Sequence, residues 1–502
     1  MKLNNSTNTY KKLPIKDVYP EIKSYQQLSF IGDLIFWVQS LPSEKKSRNA
    51  IFVRPFGKEN EFAQNLTGND FFIKSSFHGY GGKAYKCFVF DEKIYLIWID
   101  QISYAIWCQT YKINNFIDEN NNYLSSISIP KKLTASLKVN FDSSFVFFNG
   151  AQLIGLLEKK DKDFLFAINI NKEEQELKIL KEFDYFAGSL NCNNDQTFLS
   201  WIEWGKYNMS WQNNDLVFAS LNSNGEISKI VKFKDKNINV KKQVSFFQPL
   251  WISKNILICS EDSSGWWNLL FLEVNNIDAI CVKKRIIRQF FEYGLPEWIS
   301  GISIFSGSIK NLFCLAKNKE VWILEHYQNL SLQRRINLPF TCLENLHVSS
   351  NKLICNASNS LSHEQLLEID MSNYPDFISK LRKATSKKIY PFSKAESYNF
   401  RGFNNKETYA WLYQPPLVSS NKPPLLVKAH SGPTSSFSGA LNLEVQYWLS
   451  KGWFVAEVNY GGSSGYGKQY MERLNSKWGV VDSFDCIALA QSLIQKGLVD
   501  HS

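Results

Sequence analysis

The chain has 502 residues, too many for one ordinary domain, and 44% of them are hydrophobic, a share that lets a globular protein bury a large core. Its 57 basic and 47 acidic residues leave a formal net charge of +10. That excess is mild for the size, and the one dense basic run, Lys380 to Lys388, has no aromatic stacking motif beside it. It reads as a solvated linker, and nucleic acid is not an expected partner. Nine cysteines are scattered without a C-x-x-C pair, and the six histidines show no metal-ligand spacing near them. Free thiols in a reducing compartment are expected, and no metal or organic cofactor.

Along the chain, residues 1–24 include MKLNNSTNTYKKLPIKD, which lacks the apolar core of a signal peptide. No run of 18 apolar residues occurs, so no membrane span and a cytoplasmic protein are expected. From 25 to 371 short apolar runs alternate with Asn, Ser, Gly, Asp and Lys turns. The runs are DLIFWVQS, KIYLIWID, SFVFFNG, TFLSWIEW, NILICSED, NLFCLAKN and KLICNASN, with starts roughly 40 to 60 residues apart. High aromatic content (15%) suits strands, because such side chains pack well on a pleated surface. This is the period of a β-propeller blade, and the markers predict about seven blades. A pair of β-sandwiches would give similar short strands.

After 372 the texture changes. SNYPDFISKLRKATSKK reads as a helix and linker. ESYNFRGF, TYAWLYQPP, PPLLVKAH and WFVAEVNY read as strands, the last two nearly continuous apolar runs of the kind buried in parallel sheets. ALNLEVQYWLSKG, between those two, carries apolar residues at helical spacing, and SFDCIALAQSLIQKGLVD reads as an amphipathic helix closed by Gly497. Strand, helix, strand order predicts the first part of an α/β domain over 372–502.

Two stretches carry chemistry. VNYGGSSGYG contains Gly461-Gly462-Ser463-Ser464-Gly465, which fits the G-x-S-x-G turn that presents the serine of an α/β-hydrolase. PPLLVKAHSGP runs a strand into His430-Ser431-Gly432-Pro433, where such folds place one oxyanion donor. A glycine there lets a backbone N–H approach the substrate oxygen without a Cβ in the way. Gly432 is therefore the candidate oxyanion donor, and His430 beside it a candidate former of the pocket.

PPLLVKAHSGPTS, VNYGGSSGYGKQY and KWGVVDSFDCIALAQSLIQKGLVD resemble the prolyl oligopeptidase family of serine peptidases, in its acylaminoacyl-peptidase and dipeptidyl-aminopeptidase-like branch. PSEKKSRNAIFVRPF, FHGYGGKAY, QPLWISKNILICSEDSSGWWNLL and FEYGLPEWISG resemble the propeller half of that branch, so the resemblance covers nearly the whole chain. Ser431 stands where the family has Gly. The resemblance implies a seven-bladed propeller capping an α/β-hydrolase domain, a short peptide as substrate, and no cofactor. It also implies that VNYGGSSGYG closes the fourth strand and that the nucleophile elbow follows a fifth.

Order along the chain agrees. In this fold serine precedes the acid and the acid precedes histidine. After Ser463 the only histidine is His501, and Asp482, Asp485 and Asp500 sit on or beside one helix. Ser463 is thus expected to be a turn residue, and the triad to lie beyond Ser502. Glu292 and Glu297 are candidates to hold a peptide amino terminus, with a structural carboxylate as the plainer reading. Trp266 and Trp267 read as blade packing, His78 as a turn or core histidine, and Cys486 as core. Two rival functions stand beside a peptidase: a non-catalytic propeller that binds a peptide or protein, and an esterase with the same oxyanion loop.

Overall fold

The computed structural model describes residues 13–18, 25–42, 47–59, 61–114, 122–236, 243–373, 392–416 and 421–501. The Lys380–Lys388 run, most of the 372–388 segment and most of residues 1–24 lie outside them.

Among the described residues, seven antiparallel sheets follow one another along the chain, built of four, five, four, four, four, five and three strands. They are the blades of a propeller. Each of the seven apolar runs read from the sequence is a strand in a different blade, from Leu34–Leu41 in the first to Lys352–Asn359 in the seventh. The apolar side chains form cores between blades rather than within them, since a single sheet cannot bury both of its faces. Phe36, Val53, Leu96 and Trp98 fill the space between blades one and two. Ile202, Phe218, Trp251 and Leu270 do the same between blades four and five.

The ring closes between the last blade and the first. Arg54 pairs with Glu368, both side chains 4% exposed. Lys352 Nζ lies 2.7 Å from Asp33 Oδ1, and the Ser349 hydroxyl donates to the Gly32 carbonyl at 2.8 Å. Leu28 and Trp37 pack on Ile354 and Leu366 behind these contacts.

The eighth sheet is mixed. Its strand order is Glu396–Arg401, Glu407–Tyr413, Phe454–Asn459, Leu425–Ala429. The last two run parallel, with Leu425 beside Phe454 and Val427 beside Ala456. Alternation along the strands feeds two faces. Ala410, Leu412, Ala456 and Val458 pack against Leu489 and Leu493 of the Val481–Gln495 helix. Trp411, Tyr413 and Val455 pack against Val445 and Leu449 of the Leu443–Ser450 helix. The result is a three-layer helix, sheet, helix arrangement. Phe454–Asn459 is buried throughout, as a parallel-sheet interior requires. Leu425–Ala429 departs from that expectation. It stands at the sheet edge and is only half-buried.

Candidate functional site

The loop expected to hold the oxyanion donor leaves the Leu425–Ala429 strand at His430. Gly432 has φ +130, a conformation that side chains other than glycine rarely adopt, and a Cβ there would meet the Ser435 side chain at 3.3 Å. Among the described residues its N–H has no hydrogen-bond acceptor. Gly432, Pro433 and Thr434 line a cavity of about 470 Å³ between the hydrolase sheet and the propeller. Across it stand Met209, Trp211 and Trp298. The Trp298 indole donates to the Thr434 carbonyl at 2.7 Å and packs on Trp211 with ring centroids 4.6 Å apart. A backbone donor at such a place can take a developing oxyanion.

His430 turns away from this cavity. Its ring stacks on Tyr460 with centroids 4.3 Å apart, and Nε2 lies 2.7 Å from the Ser463 hydroxyl. Nδ1 is 3.0 Å from the Ser431 carbonyl. Burial lowers the His430 pKa, so the ring is neutral at pH 7 and carries one N–H. With that hydrogen on Nδ1 toward Ser431, Nε2 accepts from Ser463. The Tyr460 carbonyl, 2.8 Å from the same hydroxyl, competes for its proton.

A serine and a histidine in contact are the first two members of a triad, but two observations separate this pair from one. Ser463 is 0% exposed. Asp485 is also spoken for: its carboxylate accepts the N–H groups of Gly461 and Phe403, each at 2.7 Å. It fixes the turn and does not face His430. His501 is exposed near the far end of the chain.

The rest of the glycine-rich stretch docks the two parts of the molecule. Gly465 and Gly467 have φ of +88 and +86. Gly467 N donates to Glu292 at 2.8 Å, and Lys468 N donates to the Gly265 carbonyl at 2.9 Å. Lys468 Nζ reaches Asp262 Oδ2 at 2.8 Å, and Trp266 packs against Gly467. Glu292 accepts the Trp267 N–H with its other oxygen, at 3.0 Å. Both carboxylate oxygens of this buried side chain are thus occupied by backbone N–H groups. Burial nonetheless raises its pKa to about 7. Glu297 is raised to about 7 by the same cause and accepts from Ser189 Oγ at 3.0 Å and Gly301 N at 3.0 Å.

The remaining candidates are accounted for by packing. His78 has φ +52, sits 2.8 Å from Asp163 and is wrapped by Phe77, Phe186 and Trp204. Trp267 lies over Gly294, and Cys486 is half-buried against the cluster of Leu489 and Leu493. All nine cysteines are free, and Cys281 is the exposed one. Among the described residues, no helix is long and apolar enough to cross a membrane. Sequence reasoning missed Met209, Trp211 and Trp298 as a cavity wall. The cluster YNMSW at 207–211 is its only local signal, and nothing in it reports a contact with a loop more than 200 residues away.

Residues 440–502 match the model of the prolyl oligopeptidase family. Acylamino-acid-releasing enzyme 2 of Oryza sativa subsp. japonica is 34% identical over 84 residues, 17% of this chain and 11% of that protein. Dipeptidyl peptidase family member 6 of Caenorhabditis elegans is 24% identical over 136 residues, 23% of this chain and 18% of that protein. The matched segments therefore span less than a fifth of these curated relatives. A puromycin-hydrolyzing peptidase of Mycobacterium tuberculosis superposes over 96% of this chain and 73% of its own, with a TM-score of 0.80 at 20% identity. An acylaminoacyl peptidase of Pyrococcus horikoshii does so over 96% and 72%, with a TM-score of 0.59 at 13% identity. These structures share the fold of a propeller joined to a hydrolase domain. By sequence over residues 440–502 the chain resembles the prolyl oligopeptidase (S9) family of peptidases, in its acylaminoacyl-peptidase branch, and over nearly all of its length it shares the fold of these propeller-plus-hydrolase structures.

Proposed function

We propose that this chain forms the substrate-gating and oxyanion-binding parts of a serine peptidase that cleaves short peptides by acyl transfer. One observation carries the reading: Gly432, whose N–H has no hydrogen-bond acceptor among the described residues, borders a cavity whose opposite wall is the propeller. In acyl transfer a serine attacks the carbonyl, a histidine takes its proton, and an acid orients the histidine. The negative charge then grows on the carbonyl oxygen, where one aimed donor is worth about 3 kcal/mol. Gly432 supplies that donor in this scheme, and the His430 ring, locked between Tyr460 and Ser463, holds the loop that carries it. The propeller wall admits short, unfolded peptides and excludes folded ones.

The proposal includes a division of labour. Ser463 does not act as the nucleophile, because no substrate reaches a fully buried hydroxyl. The attacking serine, its base and its acid come from outside residues 1–502, and this polypeptide alone is inactive. We place the protein in the cytoplasm, a reading that nine free thiols support. A fluorophosphonate probe tests the scheme. The 502-residue chain is expected to take no label and to hydrolyse neither short peptide amides nor the matching esters. A label on Ser463 would overturn it. Faster cleavage of esters than amides in the complete enzyme would favour an esterase. A stable chain that binds peptides without cleaving them in any form would favour a binding propeller.

A further inference from the structure

The inner strands of all seven blades stand around a channel of about 270 Å³. Its lining holds two lysines, Lys83 and Lys86, from the second blade. Lys83 Nζ lies 3.0 Å from His347 Nε2, and Lys86 Nζ donates to the Phe145 carbonyl at 2.7 Å. Among the described residues neither amine is in an ion pair. Two acids share the channel without forming an ion pair with either amine, though Asp142 attracts both lysines and Glu297 attracts Lys83. Asp142 accepts from the hydroxyls of Ser300 and Ser144, and Glu297 from Ser189 and the Gly301 N–H.

Two like charges held in one cavity of low polarity, without a counter-ion in contact, destabilise each other and favour loss of a proton. The lysines show that cost. Burial, then the neighbouring Lys86, lowers Lys83 to about 7, and burial lowers Lys86 to about 8. His347 is pushed well below its usual range by burial and by both lysines, so the ring is neutral, and with its hydrogen on Nδ1 its Nε2 accepts from the Lys83 amine and holds it in place. Both lysines are only partly covered, so their side chains still reach solvent within the channel. An entering anion would meet two preset donors and relieve their repulsion.

We propose that the propeller channel binds a small oxyanion between Lys83 and Lys86, either a free inorganic oxyanion or the C-terminal carboxylate of a short peptide. The site lies apart from the Gly432 loop and stands whether or not the peptidase reading holds. Binding draws protons onto the lysines, so affinity is highest below pH 7 and falls as pH rises through 7 and 8. Glu297 loses its charge on acidification and acts in the same direction. Tyr85 and Cys87, both raised by burial, stay neutral over this range.

Calorimetry on the full chain at pH 6.5 and low ionic strength tests the site. The probes are sulfate, N-acetyl-dialanine and its C-terminal amide. One site is expected, with affinity at least tenfold weaker in Lys83→Met and in Lys86→Met. Binding of acetyl-dialanine but not its amide, and tighter than sulfate, identifies a peptide carboxylate. Sulfate as the tighter ligand identifies an inorganic anion. A measurement on the unaltered protein guards against misfolded variants. Acylation of Lys83 at pH 7.5 is expected to be fast and to be slowed by whichever anion binds. Failure of both anions to bind, affinity unchanged in both lysine variants, or acylation that no anion slows would overturn the proposal.

Discussion

The propeller and the hydrolase sheet solve the same problem in opposite ways. Each propeller blade borrows a neighbour to bury its faces, and the ring ends where it began, so no blade is left uncovered. The hydrolase sheet buries both faces under its own helices and keeps two strands, Glu396–Arg401 and Leu425–Ala429, at its edges. The first design spreads its stability over seven similar interfaces. The second concentrates it in one buried strand, Phe454–Asn459. The proposed chemistry follows the second design, because a loop at the end of an edge strand can be shaped for a ligand without disturbing a ring.

Four substitutions probe this contrast. The largest effect is expected at the ring closure. Arg54→Ala leaves Glu368 as an uncompensated buried charge and should cost about 3–5 kcal/mol, read as a lower denaturation midpoint. An Arg54→Met, Glu368→Leu double variant should recover most of it. A double variant as unstable as the single one would show that closure does not rest on this pair.

Next comes Gly432→Val in the catalytically competent protein. It cannot hold φ +130, so the N–H moves. A loss of about 3 kcal/mol, or roughly 100-fold in kcat with little change in KM, is expected while the fold survives. An unchanged kcat would remove Gly432 from the reaction.

The joint between the two regions should respond to pH. Burial holds Glu292 near 7, above the ordinary 4.5, so the folded protein keeps a proton that the unfolded chain has lost. Stability from this group is therefore present at low pH and fades as pH rises from about 4.5 to 7, by on the order of 3 kcal/mol. Glu292→Gln should remove that share of the slope in melting temperature against pH, leaving the similar share of Glu297. A slope that does not change would assign it elsewhere. The smallest effect is at Asn442, whose side chain accepts from Glu444 N and Val445 N at the start of a hydrolase helix. Asn442→Ala should cost about 1 kcal/mol in chemical denaturation of the hydrolase part, with the propeller transition unmoved.

Much of the architecture was legible because it is periodic. An apolar run such as KIYLIWID or NLFCLAKN announces a strand locally, and its recurrence announces a blade. The two hydrolase helices were legible for the same reason, their apolar residues falling at helical spacing. What lay hidden depends on contacts distant in sequence. Nothing near Trp298 says that it faces Thr434, and nothing near Lys83 says that it meets His347, 264 residues away. Glu292 illustrates the difference most sharply. Its sequence neighbourhood offers a carboxylate in an aromatic loop, while its function in the fold is to receive two backbone N–H groups from separate parts of the chain. The edge position of Leu425–Ala429 was hidden too, since an apolar run looks alike in the middle of a sheet and at its border.

That edge strand has a consequence in terms of mass action. One side of Leu425–Ala429 is paired with Phe454–Asn459. Among the described residues no strand pairs with the other, which presents backbone donors and acceptors to an extended segment that comes beside it. The stability of the hydrolase sheet is therefore linked to the local concentration of such a segment. A covalently tethered strand supplies it at an effective concentration in the millimolar range. A strand on another molecule supplies it only as far as the protein is crowded, and dilution then loosens the sheet while leaving the closed ring of blades untouched.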